Sequence, residues 1–412
     1  MSSTSGRTRL GRVTRSLTVA VSIALRTVAV AAIRLGFRLG RRRQAREVLL
    51  ATVHADAITG NLAAVRDELA ARHPEIAVRV FAHAVAAGNR GRLLALWRGL
   101  LAGYRLAAAR VVIVDDYFPP VYAVRPMAGT TVAQVWHACG AFKKFGYSLV
   151  DKSFGAEEAL LERFPIHTNY DLCLVSARSV APAYAEAFRQ PIDLFVSELG
   201  IPRTDVLVDA ARGAGAAAEV RRRYGLSDGR RVILYAPTFR GDRITQARDP
   251  KSLDLEVLRK ALGEDHVLLV RSHPFVRRGK PPAADPFVID VSHYPEMNEL
   301  MLVADVLVTD YSSAIFEYAL LGRPIVFFAP DHAAYERERG FYFDFATGAP
   351  GPIFEETEPL ARFLRRAEFD LARVRQFAAD SFDVADGGAT ERFVDRVVLP
   401  ALQGKVRAEN VR

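Results

Sequence analysis

Cysteine is nearly absent from this 412-residue chain, with only Cys139 and Cys173 and no CxxC spacing. That excludes a disulfide scaffold and any four-cysteine zinc site, and it fits a reducing compartment. Acidic residues are missing from positions 1–46, which carry eleven arginines. Removing those eleven from the 56 basic residues leaves 45 against 47 acidic ones, so the body beyond is near neutral. A long unbroken apolar run is lacking too. Leu17–Leu25 is interrupted by Arg26, well short of the roughly 20 residues that a span needs. With 50% hydrophobic and 25% charged residues, a mainly disordered chain, a collagen and a multi-span transporter are excluded.

What is present begins with the arm, residues 1–46. Its arginines flank two apolar stretches, Leu17–Leu25 and Thr27–Ile33. Anionic lipid fits that mixture better than nucleic acid, so no nucleic acid is expected as a partner. On a helix, Arg12, Arg15, Arg26, Arg34 and Arg41 fall within an arc of about 100°. Val19, Ile23 and Val30 share the arc, so the amphipathicity is imperfect. The arm is predicted to lie on an anionic membrane surface. A disordered or packed extension, a cleaved signal or a true span are the other readings.

From Glu47 the chain alternates short apolar runs with helical patterns. Strands are predicted at Glu47–Val53, Ile76–Phe81, Val111–Val114, Thr131–Trp136 and Leu172–Val175, with helices at Asn61–Arg72 and Arg92–Ala109. Residues 203–230 read as a junction, Ala/Gly-rich over Arg212–Glu219 with a turn signal at Leu226. A second series follows, with strands at Val232–Tyr235, His266–Val270, Phe287–Val291, Val306–Val308 and Pro324–Phe328. Helices are expected at Leu253–Leu262 and Ser313–Leu321, and over most of Pro359–Leu399. The pattern predicts an α/β protein of two similar domains, 47–210 and 211–400, facing each other across a cleft.

Four segments place polar residues just after apolar strands, at the edge where parallel sheets bind ligands. In the first, His137 follows a strand, and Gly140, Lys143 and Lys144 follow it. His is a natural base near neutral pH, glycine admits close approach, and a lysine can meet a phosphate. A hydrogen-bonded His in a glycine turn is the bland alternative. In the second, Pro237 ends a strand and Thr238 and Arg240 follow as anion-capable groups. In the third, Arg271 and His273 lie two apart before Pro274, so on an extended segment both point one way. In the fourth, Asp310, Ser312 and Ser313 precede a helix bearing Glu317. A helix start favours a phosphate, although Ser is also a good structural cap. Glu317, one turn in, could accept hydrogen bonds from ribose hydroxyls.

Asp115 and Asp116 are adjacent and face opposite ways on a strand, so they do not make a metal pair. His54, His73, His83, His266, His293 and His332 show no ligand spacing. No metal and no cofactor is expected.

Taken in order, WHACGAFKKFG, GIPRTD, ILYAPTFR, RSHP, VTDYSSAIFEYALLGRPIVFF and PGPI resemble the CDP-glycerol glycerophosphotransferase family of teichoic acid synthesis. They span about 130–355. The resemblance implies two Rossmann-like domains in the GT-B arrangement. It also implies transfer of glycerol phosphate from CDP-glycerol, or another polyol phosphate from its CDP donor, with release of CMP. The acceptor would be a lipid-linked glycan or polyol-phosphate chain, which suits a peripheral protein on the cytoplasmic face of the cell membrane. On that resemblance His137 is the base, and Arg271 and His273 meet the donor phosphates. Ser312 and Ser313 meet the pyrophosphate. Arg203, Pro237 and Thr238 fall among donor contacts, and Asp310 matches an acid needed for activity. Two departures stand out. Ala138-Cys139-Gly140 lengthens the loop after the histidine, and Glu317 stands where the family often has Asp. A GT-B glycosyltransferase using a nucleotide sugar, or a non-catalytic envelope scaffold, are the alternatives.

Overall fold

The computed structural model of the chain describes every residue except 1–3, 44, 54, 85–87, 151, 153–157, 227–228, 242–247, 251–252, 274–275, 277–284 and 412. Side chains at 4–19, 88–90 and 92 also fall outside the description. His54, Pro274 and the side chains of Arg12, Arg15 and Val19 therefore lie outside the described residues.

Two parallel six-stranded sheets form the body. The first contains β1 (Glu47–Thr52), β2 (Ala77–Ala82), β3 (Val111–Val114), β4 (Thr131–Gln134), β5 (Leu172–Leu174) and β6 (Phe195–Val196). Their order is β2-β1-β3-β4-β5-β6. The second contains β7 (Arg231–Ala236), β8 (His266–Val270), β9 (Val288–Asp290), β10 (Val306–Thr309), β11 (Ile325–Phe328) and β12 (Ile353–Phe354). Their order is β12-β11-β10-β7-β8-β9. The central strands are continuous apolar runs because both sheet faces are covered, and β3, Val-Val-Ile-Val, is buried throughout.

Strand order reverses between β1 and β3 in one sheet and between β7 and β10 in the other. At such a reversal the flanking connections leave in opposite directions and a crevice opens beyond the carboxyl ends. The segments after β1, β3, β4, β7, β8 and β10 therefore converge.

Some elements differ from expectation. β4 stops at Gln134, whose side chain accepts from the Trp136 N–H at 2.8 Å, and Trp136 takes a positive φ of 48°. The expected junction at Arg212–Glu219 is instead the interior of a helix, Ala210–Tyr224. Asp209 caps it by accepting from the Ala211 and Arg212 N–H groups, and Gly225 ends it at φ 65°. Alanine's helix propensity outweighs the two glycines there. β6 and β12 have two residues each, too short to leave a periodic signal. Beyond the second sheet the chain returns to the first. The Val406 N–H donates to Thr131 Oγ1 and the Ala408 N–H to the Asp171 carbonyl.

The N-terminal segment forms helix α1 (Thr4–Gly40). Over Ala20–Arg43 it is long and apolar enough to cross a membrane by length and composition. α1 packs on α3 (Gly88–Ala108), and Ile33 and Phe37 are buried there. A Cβ on Gly36 would sit 1.9 Å from the Leu100 carbonyl oxygen, so glycine permits this approach. Helix α2 (Gly60–Arg72) follows β1.

Candidate active site

The two sheets' carboxyl edges enclose a cleft of about 820 Å³. His137, Arg203, Pro237, Arg271, His273, Ser312, Ser313 and Glu317 all line it. Residues from both halves of the sequence thus meet in one place.

His137 sits just past β4, 38% exposed, with Nδ1 3.0 Å from the Asp115 carbonyl oxygen and 4.0 Å from Asp116 Oδ1. Its ring stacks on Trp136 at 4.6 Å. A positive φ at a bulky residue is uncommon and costs energy, and such strain gathers at functional sites. Here the turn at Trp136 carries the chain out of the strand just before His137. Asn61 holds that turn, donating through Nδ2 to the Val135 and Trp136 carbonyls at 2.9 and 2.8 Å. Its Oδ1 accepts from the Arg203 N–H at 2.9 Å.

Arg203 is the hub of the cleft floor. Its Nη1 donates to the His137 carbonyl at 2.6 Å, and its carbonyl accepts from Asn298 Nδ2 at 2.7 Å. Its Nε lies 3.6 Å from Glu317 Oε1, an ion-pair rather than a hydrogen-bond distance. Glu317 is 2% exposed, and its Oε2 has no hydrogen-bond partner. Burial pushes the Glu317 pKa up, against the pull of Arg203. Burial opposes the charge on Arg203, but Glu317 and the other nearby acids win and its pKa rises. Glu317 thus lines the cleft while packing against Arg203 and Cys139.

Arg271 and His273 follow β8, and both line the cleft as their spacing requires. Arg271 Nη2 donates to the Tyr294 and Pro295 carbonyls, each at 3.2 Å. Burial, with Arg203 nearby, pushes its pKa down to about 10. A part-buried guanidinium bonded to neutral carbonyls is suited to an incoming anion. The His273 ring rests 4.8 Å from that of Phe239.

Ser312 and Ser313 precede a helix shorter than expected, Ala314–Ala319, so the dipole behind them is small. Ser312 Oγ accepts from the Ala314 N–H at 3.2 Å.

Three of the expected residues brace the wall instead. Asp310 is 1% exposed and accepts from the Thr238 N–H, Thr238 Oγ1 and the Tyr311 N–H at 2.6–3.0 Å. Arg240 Nη2 pairs with it at 2.9 Å and Arg240 Nε with Asp331 at 2.6 Å. Burial opposes the charge on Arg240, but the two carboxylates hold its pKa above the usual value. Asp310, Thr238 and Arg240 thus fix the ends of β7 and β10 and are not among the residues that line the cleft.

The glycine–lysine loop is likewise turned away. A Cβ on Gly140 would lie 2.2 Å from the Phe316 ring, so this glycine lets the loop of the first half seat on the helix of the second. Lys143 forms a backbone bridge with Phe341. Lys144 pairs with Glu186 at 3.8 Å and lies over the Tyr342 ring. None of the three lines the cleft.

Sequence reasoning missed Asn61 and Glu296. Glu296 Oε1 accepts from the Gly60 N–H at 3.1 Å and joins the two halves at the cleft rim. Burial pushes its pKa up, with Gly60 and Arg203 pulling the other way. The signal that could have found Asn61 is the Thr59-Gly60-Asn61 turn beyond β1, where Gly60 has φ 54°.

A family profile described as CDP-Glycerol:Poly(glycerophosphate) glycerophosphotransferase matches residues 35–399. A teichoic acid ribitol-phosphate primase of Bacillus spizizenii is 37% identical over 351 residues, covering 85% of this chain and 90% of that one. A teichoic acid poly(ribitol-phosphate) polymerase of the same organism is 34% identical over 83% of this chain and 54% of its own length. The chain thus spans nearly all of the primase and about half of the polymerase. Among solved structures, a variant of the wall teichoic acid polymerase TagF superposes with a TM-score of 0.75 at 23% identity, covering 96% and 98% of the two chains. That likeness gives the GT-B-like fold.

Proposed function

The chain belongs to the CDP-glycerol:poly(glycerophosphate) glycerophosphotransferase family, and we propose that its cleft transfers a polyol phosphate in teichoic acid synthesis. In this reading glycerol phosphate moves from CDP-glycerol to a hydroxyl of a lipid-linked glycan or polyol-phosphate chain, and CMP is released. The observation that carries it is the meeting of His137 with Arg271, His273, Ser312 and Ser313 in one cleft.

The chemistry is one in-line displacement. With Nδ1–H donated to the Asp115 carbonyl, Nε2 is the proton-accepting ring nitrogen. His137 takes the proton of the acceptor hydroxyl as its oxygen bonds to the β-phosphorus. The bond from that phosphorus to the bridging oxygen breaks, and its electron pair leaves with CMP. Arg271, His273 and the serines stabilise the charge on the pyrophosphate and the departing nucleotide. Asp310 acts on this site by holding Thr238 and the strand ends. The first half, 47–210, serves the acceptor and the second, 211–400, the donor.

A second reading has ribitol phosphate as the transferred group. It is favoured by the 37% identity to a ribitol-phosphate primase, whose length the chain nearly spans. That span also favours priming over polymerisation. In this reading the enzyme sits on the cytoplasmic face of the cell membrane, where a soluble CDP donor can reach the cleft; the arginine-rich arm supports it.

The test is CMP release by the purified protein with a membrane extract as acceptor. CDP-glycerol, CDP-ribitol and UDP-glucose are offered in turn. CMP from a CDP-polyol is expected, and the better donor decides between glycerol and ribitol. UDP from UDP-glucose, with no CMP, would overturn the reading in favour of a sugar transferase.

A further inference from the structure

Gln134 ends β4, whose four residues are all buried, and is itself 1% exposed. A polar side chain at such a position costs stability unless its polar atoms are bonded. Both ends of this amide are. Oε1 accepts from the Trp136 N–H at 2.8 Å. Nε2 donates to the Asp116 carbonyl at 3.1 Å and to the Tyr170 hydroxyl oxygen at 3.0 Å. A peptide N–H only donates and a carbonyl only accepts, so these partners settle which way the amide points. They also flank the base. Asp116 follows Asp115, whose carbonyl meets His137 Nδ1 at 3.0 Å, and Trp136 precedes His137. The remaining polar groups of the turn are held from elsewhere. The Val135 N–H donates to the Val114 carbonyl at 2.8 Å, and Asn61 donates to the Val135 and Trp136 carbonyls. Tyr170 is buried, and its hydroxyl meets that of Tyr122 and, at 3.3 Å, His167 Nδ1. Gln134 is thus anchored to the interior on one side and to two loop backbones on the other.

We propose that Gln134 is a positioning residue for His137, its amide tying the Asp115-Asp116 loop to the Trp136 turn so that Nδ1–H stays on the Asp115 carbonyl and Nε2 stays the proton acceptor. The proposal rests on the reading of His137 as the base and adds a residue that does not itself line the cleft. An apolar side chain of like volume would fill this place without burying an amide. It would also strip the Trp136 N–H and the Asp116 carbonyl of the bonds they make here. Those groups need a partner because the chain leaves the strand at Trp136, with φ 48°, just before His137. Such a conformation persists only where the surroundings over-determine it. The hydrogen bond to Asp115 selects one tautomer only while ring and carbonyl keep their separation, since beyond about 3.5 Å it is lost. Asp116 Oδ1, 4.0 Å from Nδ1, stands next to it as a competing acceptor. A ring released from Asp115 populates the other tautomer, whose Nε2 carries a proton and cannot take one from the acceptor hydroxyl.

The experiment uses the full chain and two variants. Gln134→Met keeps the volume and removes the amide's bonds. Gln134→Asn keeps the amide but is one methylene short, so it cannot reach both Trp136 and Asp116. CMP release reads kcat and the donor KM, and a thermal melt reads the fold. The imidazole nitrogen-15 spectrum of histidine-labelled protein, at about pH 8 where an ordinary histidine is neutral, reads the tautomer. The His137 signal is the one missing from His137→Ala. In both variants kcat should fall by about 10- to 100-fold, as for a catalytic group displaced by a fraction of its reach. The donor KM should stay within about twofold, since no donor contact is lost. The His137 signal should pass from the Nδ1-protonated pattern to a mixture of tautomers. Where Gln134→Met fails to fold, Gln134→Asn decides. Wild-type kcat in the folded variants would overturn the proposal. So would a fall in kcat with the His137 signal unchanged, which would leave Gln134 a purely structural residue. Turnover retained in His137→Ala would overturn the reading of His137 as the base, and the proposal with it, whatever the Gln134 variants show.

Discussion

Arg203 Nε lies 3.6 Å from Glu317 Oε1 across the floor of the cleft, joining the two halves of the sequence through one buried ion pair. The same Arg203 donates to the His137 carbonyl at 2.6 Å. The pair therefore links the loop that carries His137 to the helix that follows Ser312 and Ser313. Removing one partner leaves the other charge buried, at a cost of about 3–5 kcal/mol. Replacing both with apolar groups avoids that penalty. Glu317→Leu and Arg203→Met should each lower the thermal midpoint. The double variant Arg203→Met, Glu317→Leu should recover more than half of the summed loss. Additive losses in a thermal-shift cycle would show that the two residues act separately.

His137→Ala should lower kcat by roughly 10²–10⁴ with the fold intact, as expected for loss of a general base. The measurement is initial-rate CMP release alongside a thermal melt. A fall of less than tenfold would remove His137 from the role of base.

Arg271 is a part-buried cation bonded to the Tyr294 and Pro295 carbonyls. Arg271→Ala should weaken CDP binding by about 1.5–3 kcal/mol, the range for hydrogen bonds to charged groups. Calorimetry with CDP reads this directly. With a folded-state pKa of about 10, the group loses its proton before an ordinary arginine would. Donor affinity should therefore hold through neutral pH and fall as pH rises through about 10. An affinity flat across that window would separate Arg271 from the phosphates.

His167 is fully buried and stacked on Phe188 at 3.7 Å, with Nε2 lacking a hydrogen-bond partner. Burial pushes its pKa down to about 3. The unfolded chain gains a proton there below about pH 6.5, and the folded chain does not until about 3. More protons bound by the unfolded state means that stability falls as pH is lowered through this window. His167→Asn suits the positive φ of 56° and cannot titrate. Its thermal midpoint should fall less than the wild type's between neutral pH and about pH 4. An equal fall in both proteins would assign the acid sensitivity elsewhere.

The parallel sheets were legible because their strands are buried on both faces and read as continuous runs, as in Val111–Val114. The cleft pair Arg271 and His273 was legible because alternation along an extended segment is a local rule. The helix over Ala210–Tyr224 was misread because glycine and alanine together look like a linker, while the cap at Asp209 decides the outcome. Thr238 and Arg240 were placed in the cleft because their chemistry suits an anion, and Asp310 because the resemblance implies an acid needed for activity. Only the fold turns that chemistry inward onto Asp331 and the β7 end.

By itself the sequence determined the α/β class, the basic arm and the order of the segments that meet at the strand ends. Each of these depends on composition and short-range periodicity, which residues close in the chain impose on one another. Tertiary structure alone decided which of the candidate side chains face the cleft. It brought Asn61, Arg203 and Glu317 together from three distant segments. It turned Lys143 and Lys144 away, and it set Gly140 against Phe316. Those outcomes depend on how one sheet seats on the other, and packing between distant elements leaves no periodic trace along the chain.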